Sequence, residues 1–185
     1  MSTKLSTIVA TNNYVVLDTE TTGLRRPAEI IQIAIVDHKG RTLLDTLLHP
    51  KNPIPAESTA IHGFTDGYVV GCPEWPAVKD KVLQLTNGKS ILVYNAKFDR
   101  HMMHCSDEAW SLPQTDYHEN REWFCVMEEY AEFHGETHPY YGTFVWQKLI
   151  YATEQMNLPK LQAHGALADC LMTLNLVHAM CDIPF

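Results

Sequence analysis

The sequence predicts an α/β fold in which a mixed β-sheet is flanked by helices. Three apolar, strand-like runs at 13–19, 29–37 and 41–48 come first, and the short turn at 38–40 predicts that they form an antiparallel meander. A further buried strand, at 90–94, is followed by helical patterns. Strands in succession that give way to strands alternating with helices are typical of a mixed sheet with helices on its faces.

The remaining elements follow from helical periodicity and from the residues that begin helices. Pro55 begins a short helix, and Asn95 can cap a longer one. Helical patterns cover 57–62, 74–86, 95–104, 144–155 and 166–180, and a strand merges into a helix over 124–134. The last helix is apolar on nearly every face, which indicates burial. The polar stretch 106–122 gives no assignment. We expect one domain over 1–185, with its core at about 13–178.

Composition and charge exclude some classes of protein. No apolar run reaches the ~20 residues that cross a bilayer, and the first residues lack the apolar region of a signal peptide, so no membrane partner is expected. The five cysteines are odd in number and scattered, which favours reduced thiols and a cytoplasmic location. A net charge of −8 argues against a protein that coats nucleic acid regardless of sequence. It leaves open an enzyme that acts on a strand end, because bound divalent cations reverse the charge of an acidic site.

Two acids, Asp18 and Glu20, interrupt the first strand. Side-chain alternation places both on the face that also carries Tyr14 and Val16. Two adjacent carboxylates at the end of an apolar strand repel each other and are costly to desolvate, so a cation is expected between them. Carboxylate oxygens suit hard cations such as Mg²⁺ and Mn²⁺. The alternative is a solvent-exposed strand end with two surface acids.

Three further polar residues do not fit a plain core. Asp99 shares a helical face with Asn95, although an acid near a helix start also simply complements the helix dipole. Asp169 lies on a mostly apolar face of the last helix and needs a partner there. His164 belongs in the loop that enters this helix, either within reach of a reacting group or as an ordinary surface residue. Four acids on three elements, together with one histidine, fit a single two-metal centre.

The motifs that carry these residues are Leu17-Asp-Thr-Glu-Thr-Thr-Gly-Leu24, Tyr94-Asn-Ala-Lys-Phe-Asp99 and Ala163-His-Gly-Ala-Leu-Ala-Asp169, with Ala60-Ile-His62-Gly-Phe64 between the first two. In wording, order and spacing they resemble the DEDDh branch of the DnaQ-like 3′–5′ exonucleases, the family of the proofreading subunit of bacterial DNA polymerase III. The resemblance extends over roughly 13–178. It implies a ribonuclease H-like fold, with a mixed five-stranded sheet flanked by helices.

The resemblance also implies an activity and a set of site residues. Asp18, Glu20, Asp99 and Asp169 would hold two Mg²⁺ or Mn²⁺ ions, and His164 would take a proton from the attacking water. In-line attack on the last phosphodiester of a DNA 3′ end, most simply a single-stranded one, would release a 5′-mononucleotide. The residues implied to contact the substrate are Thr19, Thr21, Thr22, Gly23, Leu24, His62, Phe64, Asn95 and Phe98. For Leu24 and Phe64, core packing is the alternative.

Several alternatives stay open. The same centre would also trim RNA, and an accessory subunit bound to a polymerase or clamp is a third hypothesis. Residues 155–159 faintly resemble a clamp-binding peptide, and the chain ends without the long tail of a proofreading subunit, so a freestanding enzyme or a small docked subunit is expected. Gly165 stands where many relatives have Arg, and no basic cluster compensates, which predicts modest, salt-sensitive affinity. We interpret the histidine patches at 101–105 and 134–138 as solvated surface, with a zinc site as the alternative, because their spacing is irregular. The aromatic run 139–144 suggests either base stacking or an exposed loop tucked under the helices.

Overall fold

The structure, a computed structural model, describes residues 3–159, 161 and 165–182. Its centre is a five-stranded mixed sheet with the strand order β3-β2-β1-β4-β5. The strands are β1 (Tyr14–Thr21), β2 (Ile30–Asp37), β3 (Thr42–Leu47), β4 (Lys89–Val93) and β5 (Arg121–Cys125). The predicted α/β fold, a mixed sheet flanked by helices, is confirmed.

The first three strands form the predicted antiparallel meander. In the turn between β2 and β3, the Gly40 N–H donates to the Asp37 carbonyl at 2.9 Å, and Gly40 adopts a φ of 75°. A residue without Cβ adopts this conformation at little cost. Arg41 closes the turn by pairing with the Asp37 carboxylate at 2.6 Å. The connection is therefore specified by neighbouring residues alone.

Strands β1, β4 and β5 run parallel to one another. Val16 lies opposite Leu92, and Ile91 lies opposite Trp123. The carboxyl ends of β1 and β4 consequently meet at the same edge of the sheet. Asp18 therefore comes close to the helix that follows β4.

Helices cover both faces of the sheet. They are α1 (Thr3–Ala10), α2 (Ala56–His62), α3 (Asp66–Val69), α4 (Trp75–Thr86), α5 (Ala96–Ala109), α6 (Val126–His134), α7 (Leu149–Gln155) and α8 (Ala166–Met180). On one face, Tyr14 and Val16 share a buried cluster with Cys170 of α8. On the other face, Leu17 shares a cluster with Met102 of α5. Within the described ranges, none of these helices is both long and apolar enough to span a membrane.

A buried carboxylate, Asp107, joins α4 to α5. Its oxygens accept hydrogen bonds from Trp75 Nε1 and Tyr117 Oη, each at 2.8 Å, and it pairs with Lys79 Nζ at 2.9 Å. Only 3% of Asp107 is exposed. Three donors therefore offset the cost of burying its charge. The contact fixes the position of α5, the helix that carries Asp99.

Several boundaries differ from the sequence prediction. Helices α1 and α3 are additional, α5 extends to Ala109, and β5 begins inside the stretch that gave no assignment. The helix predicted over 144–155 begins only at Leu149. The preceding residues form a hairpin instead, in which Phe144 is bridged to Thr137. A cross-strand pairing thus replaces the first part of a pattern that locally suits a helix.

Candidate active site

Three carboxylates meet at the carboxyl end of β1. Asp18, Glu20 and Asp169 each offer an oxygen within 4.8 Å of the oxygens of the other two. Asp18 and Glu20 lie on the face of β1 that packs on α8, the face that also carries the buried Tyr14 and Val16. Asp169 lies in the first turn of α8. The acid pair of β1 thus gains a third member from near the other end of the chain.

Gln32 holds the start of α8 beside these acids. It lies opposite Glu20 in the register of β1 and β2. Its Oε1 accepts a hydrogen bond from the Ala166 N–H at 3.0 Å, and its Nε2 donates to Asp45 Oδ1 at 2.9 Å. The residue before the helix, Gly165, has no side chain for capping. Gln32 therefore supplies, from a neighbouring strand, the acceptor that a capping Ser or Asp usually provides.

Asp99 reaches the same edge of the sheet from the opposite face. It lies in the first turn of α5, immediately after β4, and is 3% exposed. Thr19 Oγ1 donates a hydrogen bond to Asp99 Oδ1 at 2.8 Å. Because Thr19 sits between Asp18 and Glu20 in β1, its side chain alternates to the α5 face. Asp99 is outside the triplet of close oxygens and is joined to it through Thr19.

Burial and the charges of neighbouring acids raise the pKa values of Asp18, Glu20 and Asp99. Burial, followed by the charges of the other three acids, raises the pKa of Asp18 well above its usual value. Burial, followed by the charges of Asp169 and Asp99, raises the pKa of Glu20 to about 7. Burial also raises the pKa of Asp99 to about 7, although the hydrogen bond from Thr19 lowers it. A divalent cation among these oxygens would stabilise their ionised forms, so the donor set fits Mg²⁺ or Mn²⁺.

A cleft of about 390 Å³ opens beside Glu20, between the end of β1 and α2. Seven of the nine residues predicted to contact substrate line it. They are Thr19, Thr21, Thr22, Gly23, Leu24, His62 and Phe98. Leu24 is 76% exposed, so the core-packing alternative is wrong for this residue.

Helix α2 is tied to the loop that follows β1. Ser58 Oγ donates to the Thr22 carbonyl at 2.8 Å. His62 Nδ1 accepts the Phe64 N–H at 3.0 Å, so a neutral His62 carries its proton on Nε2. Sequence reasoning missed Glu57, Ser58 and Ile61, which also line the cleft. The four-residue spacing between Ser58 and His62, which places both on one helical face, is the signal that identifies Ser58.

The other predicted site residues lie outside this cleft lining. Phe64 stacks between His62 and Tyr68, with ring centroids at 5.2 and 5.6 Å, and packs against a small hydrophobic cluster. Asn95 precedes α5 and is exposed, but its side chain makes no capping hydrogen bond, so the predicted cap is wrong. His164 lies outside the described residues.

Charged side chains near the motifs are partly paired elsewhere. Arg26 pairs with Glu108 at 2.8 Å, and Lys97 pairs with Glu128 at 3.2 Å. Both pairs are largely exposed, so they are weak and easily exchanged with solvent ions.

The histidine patch on α5 has little in common with a zinc site. His101 Nε2 and Cys105 Sγ are 3.5 Å apart, but the His104 ring packs edge-on against Tyr117, with centroids 4.8 Å apart. Within the part of the chain that the structure describes, the acid triplet is the one group of three or more such side chains close enough to share an ion.

Comparison with known proteins decides the family to which this arrangement belongs. A family model described as exonuclease, RNase_T, matches residues 15–177. The chain belongs to this exonuclease family. It is 38% identical over 172 residues to the uncharacterized exonuclease CP81 of Escherichia phage 186, covering 91% of this chain and 88% of the relative. It is 28% identical over 166 residues to exodeoxyribonuclease 10 of Escherichia coli K12, covering 88% and 66%.

Solved structures of exonucleases share the fold. Exonuclease X, solved in complex with 5′ overhanging duplex DNA, superposes with a TM-score of 0.67 at 25% identity and 91% coverage of both chains. The nuclease domain of 3′hExo, a DEDDh family member bound to rAMP, gives 0.72 at 16% identity and 92% coverage of both, a likeness of fold alone. The ribonuclease H-like fold and membership of the exonuclease family are thus confirmed. The chain is therefore a nuclease, and its family uses divalent metal ions. Its carboxylates of Asp18, Glu20 and Asp169 are close enough together to bind one such ion.

Proposed function

We propose that this exonuclease removes 5′-mononucleotides from the 3′ ends of DNA, preferring single-stranded ends, with the help of two divalent cations. The observation that carries the proposal is the carboxylate triplet of Asp18, Glu20 and Asp169, with buried Asp99 joined to it through Thr19. The triplet lies beside a cleft large enough for a terminal nucleotide. Acids that raise one another's pKa at the mouth of a cleft are typical of a functional site rather than of a structural one.

Asp18, Glu20, Asp99 and Asp169 would hold the cations, as their oxygen ligands and burial favour. When bound, the cations would neutralise the charge that builds on the phosphate and lower the pKa of the attacking water. Thr19 would keep the Asp99 carboxylate oriented through its hydrogen bond. Gln32 would do the same for α8, and therefore for Asp169, by holding the first turn of that helix.

The cleft would position the terminal nucleotide for in-line attack. The backbone of residues 19–22 offers polar groups to the terminal sugar, and exposed Leu24 offers apolar surface to the terminal base. The hydrogen bond from Ser58 to Thr22 keeps α2 against this loop, which holds His62 beside the path of the strand. Such positioning contributes to rate because attack requires the reacting atoms to be close and aligned.

His164 is the proposed general base because the motif that joins it to Asp169 resembles the corresponding motif of the DEDDh exonucleases. An imidazole with an ordinary pKa near ~6.5 is mostly neutral at neutral pH, so it can accept the proton of the attacking water and become the imidazolium. Replacing His164 by Asn should therefore lower the rate of the chemical step while leaving metal binding by the four acids intact.

DNA is favoured over RNA because the similar proteins with DNA in their names cover most of this chain. Exodeoxyribonuclease 10 is one, and DNA polymerase III subunit epsilon of Escherichia coli K12 is another, at 26% identity over 181 residues, 92% of this chain and 72% of that protein. The name of the second also suggests a polymerase partner. The clamp-peptide hypothesis has less support, because Met156 and Leu158 pack against the core at the end of α7. Because these two side chains pack against the core, they do not form a free apolar surface for a clamp to bind.

The test is degradation of 5′-labelled single-stranded DNA and RNA of matched sequence, in Mg²⁺ or Mn²⁺. We expect a ladder that shortens by one nucleotide at a time on DNA, with 5′-mononucleotide as product. Asp18→Asn and EDTA should each abolish it, whereas Asp80→Asn, which neutralises an exposed acid outside the site, should leave it unchanged. Release of the labelled 5′ nucleotide in the first turnover would instead show the opposite polarity.

Equal ladders on DNA and RNA would replace the DNA preference by a general 3′–5′ exonuclease. A faster RNA ladder would make RNA trimming the function. No ladder on either polymer, from folded protein that binds Mn²⁺, would overturn the catalytic proposal. A stable complex with a polymerase that survives Asp18→Asn would then favour the accessory-subunit alternative.

A further inference from the structure

Exposed aromatic side chains are concentrated in one segment of the chain. Among the described residues, ten large hydrophobic side chains are exposed, and five of them lie within residues 140–151. Tyr140 is 89% exposed, Tyr141 is 76% exposed and Trp146 is 63% exposed. Large aromatic surfaces that remain in water are costly in a folded protein, and a cluster of them marks an interaction site.

These residues belong to a hairpin, residues 136–146, which we call the aromatic hairpin. The His138 N–H donates to the Thr143 carbonyl at 2.8 Å, and the Gly142 N–H donates to the His138 carbonyl at 3.2 Å. The His138 ring lies 6.1 Å from the Tyr140 ring and 4.6 Å from the Tyr141 ring. The tip is thus held by its own backbone, with both tyrosine rings close to the His138 ring.

The aromatic hairpin ends at the carboxyl end of β4, at the edge of the sheet that carries the candidate active site. Tyr94 Oη donates to the Gln147 carbonyl at 3.0 Å, and Tyr94 stands between β4 and α5, the helix that carries Asp99. Leu149 packs into the same core cluster as Tyr94 and Ala166, the first residue of α8. The base of the hairpin therefore contacts the carboxyl end of β4, from which the chain continues into the helix that carries Asp99. A strand that left the active site along this edge of the sheet would reach the aromatic surface.

The chemistry of the surface selects one occupant. Glu136 and Lys148 are the only formal charges within residues 133–151, and Glu136 already accepts a hydrogen bond from Gln147 Nε2 at 2.9 Å. A surface that is rich in rings and poor in charge suits stacking with bases of a single strand, which every base permits through its π-face. We infer that the aromatic hairpin stacks on the bases upstream of the 3′-terminal nucleotide. This stacking supplies binding affinity that other nucleic-acid-binding proteins obtain from lysine and arginine side chains, which are outnumbered by acids in this chain. The inference rests on the proposed function of the neighbouring site.

The test measures binding apart from turnover. Anisotropy of a 5′-fluorescein oligothymidylate of about 12 nucleotides, in EDTA, should show about 5-fold or more weaker binding for each stacking side chain that is lost. The variant that loses the rings is Tyr140→Leu with Tyr141→Leu, and the variant that keeps them is Tyr140→Phe with Tyr141→Phe. Val70→Ala removes exposed apolar surface from another segment and serves as the matched control. The salt dependence of binding should be the same for all four proteins, because stacking releases no counterions.

Turnover provides the second readout. With Mn²⁺, kcat/KM of the wild type should rise with the length of the oligothymidylate from about 2 to about 12 nucleotides, as upstream bases reach the hairpin. The leucine variant should keep the dinucleotide rate and lose the rise, whereas the phenylalanine variant should keep both. Wild-type affinity and length dependence in the leucine variant would overturn the inference. Hairpin-dependent binding without hydrolysis by the wild type would instead retain the inference and overturn the proposed exonuclease activity.

Discussion

Neutralising one acid of the site should stabilise the metal-free protein. The change is Glu20→Gln, which keeps the shape of the side chain and removes its charge. Burial and the charges of Asp169 and Asp99 raise the pKa of Glu20 from 4.5 to about 7. Folding therefore makes this carboxyl bind its proton more tightly. An acid with a raised pKa lowers the free energy of unfolding as pH increases from about 4.5 to about 7, and the loss is complete above that range.

The size of the effect follows from the same values. A rise in pKa from 4.5 to about 7 corresponds to about 3 kcal/mol of free energy of unfolding at alkaline pH. For a chain of 185 residues, that amounts to roughly 6–12 °C in Tm. We therefore expect Glu20→Gln to be more stable than the wild type at about pH 8 in EDTA and nearly equal to it at about pH 4.5. Mn²⁺ should reverse the order, because only the wild type retains the full set of ligands.

The assay is thermal unfolding of both proteins across this pH range, in EDTA and in Mn²⁺. Glu132→Gln, at an exposed acid on α6, is the matched control and should follow the wild type. Parallel pH profiles for the wild type and Glu20→Gln in EDTA, or a lower Tm for the variant at about pH 8, would refute the argument that the acids of the site repel one another.

Three further substitutions test the contacts that hold the site. Thr19→Val removes the hydroxyl that donates to Asp99 and should weaken Mn²⁺ binding about 5-fold or more in a calorimetric titration. Thr19→Ser, which keeps a hydroxyl, should restore the affinity. Undiminished affinity in Thr19→Val would contradict the role of this hydrogen bond. Gln32→Ala leaves the start of α8 without its acceptor and should lower the free energy of unfolding by about 1–3 kcal/mol, with faster amide exchange confined to that helix start. Asp107→Ala leaves three buried donors without their acceptor and should lower the free energy of unfolding, measured in urea, by about 3–5 kcal/mol. Asp116→Ala, at an exposed acid, should leave it almost unchanged. Similar losses of stability for the two variants would argue against the network around Asp107.

Contacts that the structure adds to the site are long-range, which is why sequence patterns did not reveal them. Thr19 and Asp99 are 80 positions apart, and Gln32 and Ala166 are 134 positions apart. The local sequence around Gln32 predicts only a buried strand. Nothing in that sequence indicates that the side-chain amide of Gln32 accepts a hydrogen bond from the start of a helix. The hairpin before α7 shows the opposite case, in which a locally helical pattern gave way to pairing between Thr137 and Phe144.

The sequence by itself determined the family, the mixed sheet, the meander and the four acids. It could do so because these features depend on neighbours: alternation along β1, a glycine turn before β3, and carboxylates that interrupt apolar runs. Only the tertiary structure decided that carboxylate oxygens of Asp18, Glu20 and Asp169 lie within 4.8 Å of one another, and that Thr19 links Asp99 to them. It also decided that the side chains of the aromatic hairpin are exposed to solvent. Which side chains meet, and which remain exposed, depends on how helices pack on the two faces of the sheet, and that packing is a property of the whole chain.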